Sequence, residues 1–203
     1  MRPTYVLRHM RVEDIPQVLE IDALSFPSPW SARTYQFEIS NHDTSYLSVL
    51  ETTSESTPPT NRWQRMFRWL RGSQPSAEGR IVGYAGCWLI AGEAHISTIA
   101  VHPGYRGKGL GEVLLAGMLR RSLRLGGEYS VLEVRTSNAV AQALYRKYEY
   151  EISGVRRNYY RDNNEDAYLM EVRPLDVGYH ARFGQRYEAL RQRVAFADRF
   201  TEV

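Results

Sequence analysis

Ile99-Ala100-Val101-His102-Pro103-Gly104-Tyr105-Arg106-Gly107-Lys108-Gly109-Leu110-Gly111 is the stretch on which the reading of the whole chain turns. The run Ala94–Val101 that enters it reads as a strand and stops at His102-Pro103-Gly104. An amphipathic helix is predicted to begin near Leu110. Gly107, Gly109 and Gly111 stand where that helix opens, so the backbone there can take positive φ and approach a ligand closely. The first N–H groups of a helix have no internal partner and carry the positive end of its dipole, which favours phosphate. Arg106 and Lys108 add two full charges. The stretch is therefore read as a cradle for a pyrophosphate. The Walker A pattern fails because Leu110, not Lys, follows Gly109, and the dinucleotide pattern fails because Gly107-x-Gly109 runs on into Glu112. The pattern that fits is R-x-x-G-x-G, filled by Arg106, Gly109 and Gly111.

Outside that stretch the totals set limits. The chain has 203 residues, 43% of them hydrophobic and 24% charged, which suits one domain with additions. The single cysteine, Cys87, excludes an intrachain disulfide and points to a reducing compartment. Met1 to Gln17 has no apolar core of a signal peptide, and the longest apolar run, Ile81 to Gly92, is too short for a membrane span of about 20 residues. A cytoplasmic location is expected. A net charge of +3 does not by itself indicate nucleic acid. His9, His42, His95, His102 and His180 lack metal-ligand spacing, so no metal is expected.

Along the chain, Thr4–Arg8 reads as a strand and Val12–Leu24 as a helix with Glu13 and Asp14 in its first turn. Ser25-Phe26-Pro27-Ser28-Pro29-Trp30 is a stiff loop because of its two prolines. Ser31 is placed to cap a helix reaching Ser40, and Tyr46–Leu50 reads as a strand. Ile81–Ala91 and Glu93–Val101 form a hairpin on Ala91-Gly92. The helix from Leu110 ends at Gly126-Gly127. Tyr129–Arg135 is a strand, Ser137 or Asn138 caps a helix to Tyr148, and two strands, Ile152–Tyr160 and Ala167–Val172, flank Asp162-Asn163-Asn164. Helices alternating with a mostly antiparallel sheet give an α/β (α+β) fold.

Two segments stand apart. A polar insert at about 52–80 encloses residues 61–71, where Trp63, Met66, Phe67 and Leu70 share one helical face and Arg62, Arg65, Arg68 and Arg71 take the rest. No acid offsets these four arginines, and without them the chain is slightly acidic. Such a helix suits an anionic membrane or ribosomal RNA, or docking on the protein's own surface. The tail, 173–203, spaces Tyr179, Phe183, Tyr187, Leu190 and Val194 as one amphipathic helix that covers the body or a second subunit.

The Arg106–Gly111 loop resembles the acetyl-CoA loop of the GNAT N-acetyltransferases. The likeness extends to Leu132-Glu133-Val134-Arg135, Ser137-Asn138, Ala143-Leu144-Tyr145, Arg157-Asn158-Tyr159-Tyr160, Glu165-Asp166-Ala167 and Ser25–Ser31. It covers residues 4 to 172 apart from the insert, and it is most similar to the bacterial branch that acetylates the N-terminal alanine of a small-subunit ribosomal protein. The resemblance implies a GNAT fold, with a mixed sheet of about six to seven strands and about four helices. The acetyltransferase domain is then 1–172 and the helical extension 173–203.

The resemblance also implies roles. Glu133 would be the general base and Tyr145 the general acid that protonates the departing thiolate. Arg106, Gly107, Lys108, Gly109, Leu110 and Gly111 would hold acetyl-CoA. Asn138 would contact it as well as cap its helix, and Ile99, Ala100 and Val101 would lend backbone groups to the pantetheine arm. Phe26, Pro27, Trp30, Tyr159 and Tyr160 would wall the peptide site. From the residues alone, Glu133 reads equally as a strand glutamate paired with Arg135. Tyr145 reads as one of 14 tyrosines in a core, Trp30 and Phe26 as a hydrophobic staple, and His102 as a strand-end residue. The chemistry is consistent with the family: an N-terminal amine, pKa about 7.7–8.0, is about one-tenth neutral at pH 7 and must lose a proton. One departure is Tyr148-Glu149-Tyr150 where the family has Phe-Gly-Phe; Glu149 would have to take a left-handed cap. Other substrates remain open: further protein N-termini, lysines, or small amines, although a polyamine site would want acids where this chain has aromatics. A non-enzymatic acetyl-CoA-binding module is the third class, disfavoured by the presence of both Glu133 and Tyr145.

Overall fold

A computed structural model describes residues 4–53 and 79–202, and the apolar periodicities become elements there with few surprises. β1 (Tyr5–His9) leads through a 3-10 turn at Val12–Asp14 into α1 (Ile15–Ser25). Then follow α2 (Ala32–Ser40), β2 (Ser45–Thr52), β3 (Ile81–Ile90), β4 (Glu93–Val101), α3 (Leu110–Arg124), β5 (Tyr129–Arg135) and α4 (Ala139–Lys147). β6 (Glu151–Tyr160), β7 (Glu165–Val172), α5 (Val177–Arg193) and β8 (Phe196–Asp198) complete the order. The predicted caps are in place. Ser31 accepts a hydrogen bond from the Thr34 amide at 3.1 Å and Asn138 from that of Ala141 at 3.1 Å. Ala91 and Gly92 have φ of 49° and 83°, the left-handed pair that turns a tight hairpin. The basic helix expected at 61–71 lies outside the described residues.

The strands form one sheet in the order β6-β7-β5-β4-β3-β2-β1-β8. Among the described residues only β4·β5 and β1·β8 are parallel. Eight strands and five helices among the described residues replace the expected six to seven and four, and the tail supplies both additions. The helical reading of the tail holds for α5. The chain then turns, and β8 pairs with β1, Tyr5 opposite Phe196. Three residues are too few to display a period of two, so this strand is invisible in the sequence.

α1 and α2 pack on one face of the sheet, over Val18, Ile21, Tyr35, Val49 and Tyr84. α3 and α5 pack on the other, where Leu114, Leu119, Leu132, Tyr148, Tyr179, Phe183, Tyr187 and Phe200 share one core. Asp198 fastens the end of the chain into this core. Its carboxylate accepts from Arg120 at 2.9 Å, from the hydroxyls of Tyr187 and Thr201, both at 2.5 Å, and from the amides of Phe200 and Thr201. Removing it takes the carboxylate from a half-buried guanidinium and leaves two buried amides without their acceptor. Asp198→Ala is expected to lower stability by about 3 kcal/mol, read as a fall in the urea midpoint.

Glu149 does take the left-handed conformation, with φ 66°. The tail compensates. Arg182 reaches both of its carboxylate oxygens at 2.8 Å and Arg186 one of them at 2.6 Å. The Arg182 hydrogen bonds, joined by Arg186 and opposed by partial burial, bring that carboxyl down to about 2.

One irregularity creates the site. β4 and β5 pair only from Glu93 to His95 against Tyr129 to Val131. In β4 the register against β3 slips at the next step, Gly86 facing Thr98 while Cys87 faces Ile96, so Ser97 is an extra residue. Such a bulge bends its strand. Beyond it β4 and β5 are no longer paired.

Candidate active site

The gap between the two strands is a cleft of about 880 Å³. Ile96–Val101 of β4 and Leu132–Arg135 of β5 form its floor. Asn138, which caps α4, with Ala141, Leu144 and Tyr145 from that helix, the Phe26–Trp30 loop, and Tyr159–Asp162 at the end of β6 form its walls. Segments far apart in sequence thus meet where the sheet opens.

Glu133 stands on the floor with its side chain only 6% exposed. It is not paired with Arg135, which overturns the simpler reading of that strand. Arg135 instead donates to Asp162 at 2.8 Å and Glu165 at 3.0 Å, and its guanidinium lies 3.9 Å from the centre of the Tyr160 ring. One oxygen of Glu133 is hydrogen-bonded to His95 Nε2 at 2.8 Å, and the other lies 3.0 Å from Arg156. Burial works to raise the Glu133 pKa, but the His95 bond, with the charges of His95 and Arg156, outweighs it and holds the carboxyl below its usual range. Glu133 is an ionised carboxylate at neutral pH.

Tyr145, half-buried on α4, faces the same cleft, its ring 5.9 Å from that of Tyr150. Burial, reinforced by Tyr160, pushes its phenol well above 10. It is therefore a protonated hydroxyl throughout the working range, able to donate. Cys87, by contrast, is buried outside the cleft with its thiol pushed up to about 12 by that burial.

The glycine loop has the conformation its composition suggests. Gly107 and Gly109 have φ of 76° and 77°, and Gly109 is the residue before α3. Among the described residues, the main-chain N–H groups of 107 to 111 have no main-chain partner. A row of free amides at a helix start, with nothing within 4 Å of where a Gly107 side chain would begin, fits a pyrophosphate. Its side chains are less uniform than the sequence suggests. Leu110 is buried in the core and offers only its backbone. Lys108 lies over the Tyr105 ring, 5.0 Å from its centre. Arg106 folds back into the cleft, donating to the Val101 carbonyl at 3.0 Å and to Ser25 at 3.3 Å. Ile99, Ala100, Val101, Arg106, Gly111 and Asn138 line the cleft, whereas Gly107, Lys108, Gly109 and Leu110 do not.

Residues 15–150 match the sequence model of the Acetyltransferase (GNAT) family. The chain belongs to that family. A Bacillus subtilis relative, provisionally named a ribosomal protein bS18-alanine N-acetyltransferase, is 34% identical over 172 residues, covering 85% of this chain and 97% of its own. The ribosomal protein bS18-alanine N-acetyltransferase of Escherichia coli K12 is 29% identical, covering 80% of this chain and 93% of its own. The crystal structure of the ribosomal-protein-S18-alanine N-acetyltransferase from Escherichia coli superposes with a TM-score of 0.64 at 26% identity, over 84% of this chain and 94% of that one.

In this GNAT chain the aromatic wall is built as much by the core as by the cleft. Trp30 stacks on Trp88 with ring centres 6.4 Å apart and leans on Tyr35 at 5.3 Å. Its amide donates to Asp22 at 2.7 Å, and Tyr84 donates its hydroxyl to the same buried carboxylate. Asp22 therefore fixes the loop carrying Phe26, Pro27 and Trp30, which line the cleft. Tyr159 and Tyr160 face them, edge to face, 5.1 Å apart. His102 is indeed a strand-end residue; its Nδ1 accepts from the Gly104 amide.

The sequence reading missed His95, Arg156 and Asp22. His95 precedes the bulge and meets Glu133 across the last paired step of two parallel strands, 38 positions away. No local period marks such a contact. Asp22 had a usable signal: a lone acid on the apolar face of α1, buried at 2% exposure. Among the described residues no group of three or more His, Cys, Asp or Glu side chains could hold a metal, and no helix is long and apolar enough to cross a membrane.

Proposed function

We propose that this GNAT acetyltransferase moves the acetyl group of acetyl-CoA to the α-amine of a protein whose first residue is alanine, with ribosomal protein bS18 as the substrate its relatives' names indicate. The observation that carries the reaction is the cleft itself, in which an ionised carboxylate and a protonated phenol face one opening at the split of β4 and β5. Glu133 receives the proton that the amine nitrogen sheds as its lone pair bonds to the acyl carbon. Tyr145 gives its hydroxyl proton to the sulfur as the carbon–sulfur bond breaks. The loop amides of 107 to 111 hold the pyrophosphate and Asn138 contacts the same molecule; acetyl-CoA supplies the activated acyl group. Phe26, Pro27, Trp30, Tyr159 and Tyr160 receive the first residues of the peptide. The enzyme works in the cytoplasm, where such substrates are made.

The preference for an α-amine over a lysine side chain follows from proton equilibria. An α-amine is about one-tenth neutral at pH 7, a lysine amine less than about one-thousandth. A carboxylate with a lowered pKa is a weak base and favours the amine that needs least help. Peptides differing only in their first residue, with one carrying a blocked N-terminus and an internal lysine, should be incubated with acetyl-CoA and read by mass spectrometry. Acetylation of the alanine peptide above the rest is expected. Equal modification of the blocked peptide or of polyamines would sink the N-terminal assignment.

Two further outcomes follow from the same geometry. Tyr145→Phe should lower kcat about 100-fold, measured by release of free CoA thiol. The pH profile of kcat/KM has its sign fixed by the two shifts. Glu133 is held below the usual carboxylate range and so stays ionised well under neutrality, while Tyr145 is raised and so stays protonated above pH 10. Activity should rise with pH through the amine's own pKa, about 7.7–8.0, and then stay level to about pH 10. A limb near pH 5 would return Glu133 to an ordinary carboxylate.

A further inference from the structure

The C-terminal helix reaches the glycine loop from behind. Glu112 is the third residue of α3, in the turn whose free amides face the pyrophosphate site. A carboxylate there lies within one helical pitch, about 5 Å, of the loop and repels a bound anion if nothing offsets it. It is offset. One oxygen accepts from Lys147 at 2.5 Å and from Tyr148 at 3.1 Å; the other accepts from Arg193, the last residue of α5, at 2.6 Å. The next residue, Val194, is buried and packs behind Gly109: a side-chain carbon built there would lie 3.1 Å from a Val194 methyl. Residues 193 and 194 thus touch both the charge and the backbone of the loop.

We propose that Arg193 is a positioning residue for acetyl-CoA: delivered by the C-terminal helix, it joins Lys147 in offsetting Glu112 on the oxygen that Lys147 leaves free and, with Val194 behind Gly109, holds the loop ready for the pyrophosphate. The proposal rests on the loop's assignment to that pyrophosphate. Burial works to raise the Glu112 pKa, yet the Lys147 and Arg193 bonds keep it low, so the charge to be offset is a full one. Arg193 is half exposed, so its replacement removes little packing. The structure gives the tail, whose role the sequence left open, a task in ligand binding.

The test is kinetic. Arg193→Ala should raise the KM for acetyl-CoA roughly fivefold, with the effect on KM rather than kcat. With S-acetylpantetheine, which lacks the pyrophosphate, the shift should vanish. Adding Glu112→Gln to Arg193→Ala removes the carboxylate that Lys147 alone then offsets, and should bring the KM back to within about twofold of the parent; Arg193→Lys should stay near the parent from the start. A merely structural role for the tail is not rescued by Glu112→Gln. Overturning results are an unchanged KM in Arg193→Ala, an equal shift with both thioesters, or a double variant no better than the single. If the parent itself shows the same KM for both thioesters, it is the loop assignment that fails, and the proposal falls with it.

Discussion

Glu133→Gln should lower turnover by about 100- to 1000-fold while leaving affinity for acetyl-CoA within about twofold of the parent. Glutamine keeps the size of the side chain and an oxygen for the hydrogen bond with His95, so the floor of the cleft is preserved. What it loses is the charge that receives the amine's proton and that faces Arg156 at 3.0 Å. Because the loop that binds the nucleotide lies on other elements, calorimetric binding of acetyl-CoA should be nearly unaffected. Release of CoA at the parental rate by this variant would remove Glu133 from the reaction, and loss of binding would place it in the nucleotide site instead.

The second large effect falls on folding. Phe183→Ala is expected to cost about 3–5 kcal/mol, because the ring is 4% exposed and touches Tyr148, Tyr179 and Tyr187 in the main core. It should appear as a lower urea midpoint at unchanged slope. A chain ending at Arg173 should go further and lose its cooperative transition, since Tyr179, Phe183, Tyr187, Leu190, Phe196 and Phe200 would all leave one core. A truncated protein with the parental midpoint would make the tail an accessory.

How much of this was legible depends on the range of the interaction. Ser31, Asn138 and the Ala91-Gly92 turn act within three residues, and their roles could be read directly. The positive φ of Gly107 and Gly109 followed from the spacing of the glycines. The left-handed Glu149 was foreseeable from the missing glycine, but not that Arg182 and Arg186 would hold it. Long-range pairings stayed hidden. Residues two apart on a strand share a face, which made Glu133 and Arg135 look like partners; Asp162 in the turn and Glu165 at the start of β7 draw Arg135 away. Arg106 carries the charge a phosphate loop wants, yet the nearby Val101 carbonyl and Ser25 engage it. The bulge at Ser97, which opens the cleft, is a mismatch between two strands and exists in neither alone.

The pairing of β8 with β1 places the last strand of the chain beside the first, with Tyr5 opposite Phe196. During synthesis β1 keeps a bare outer edge, and Gly109 has no Val194 behind it, until residues 194 to 198 have been made. A nascent chain short of them already contains Glu133 and Tyr145 but not the support for its nucleotide loop, so affinity for acetyl-CoA should be the last property that the growing chain acquires.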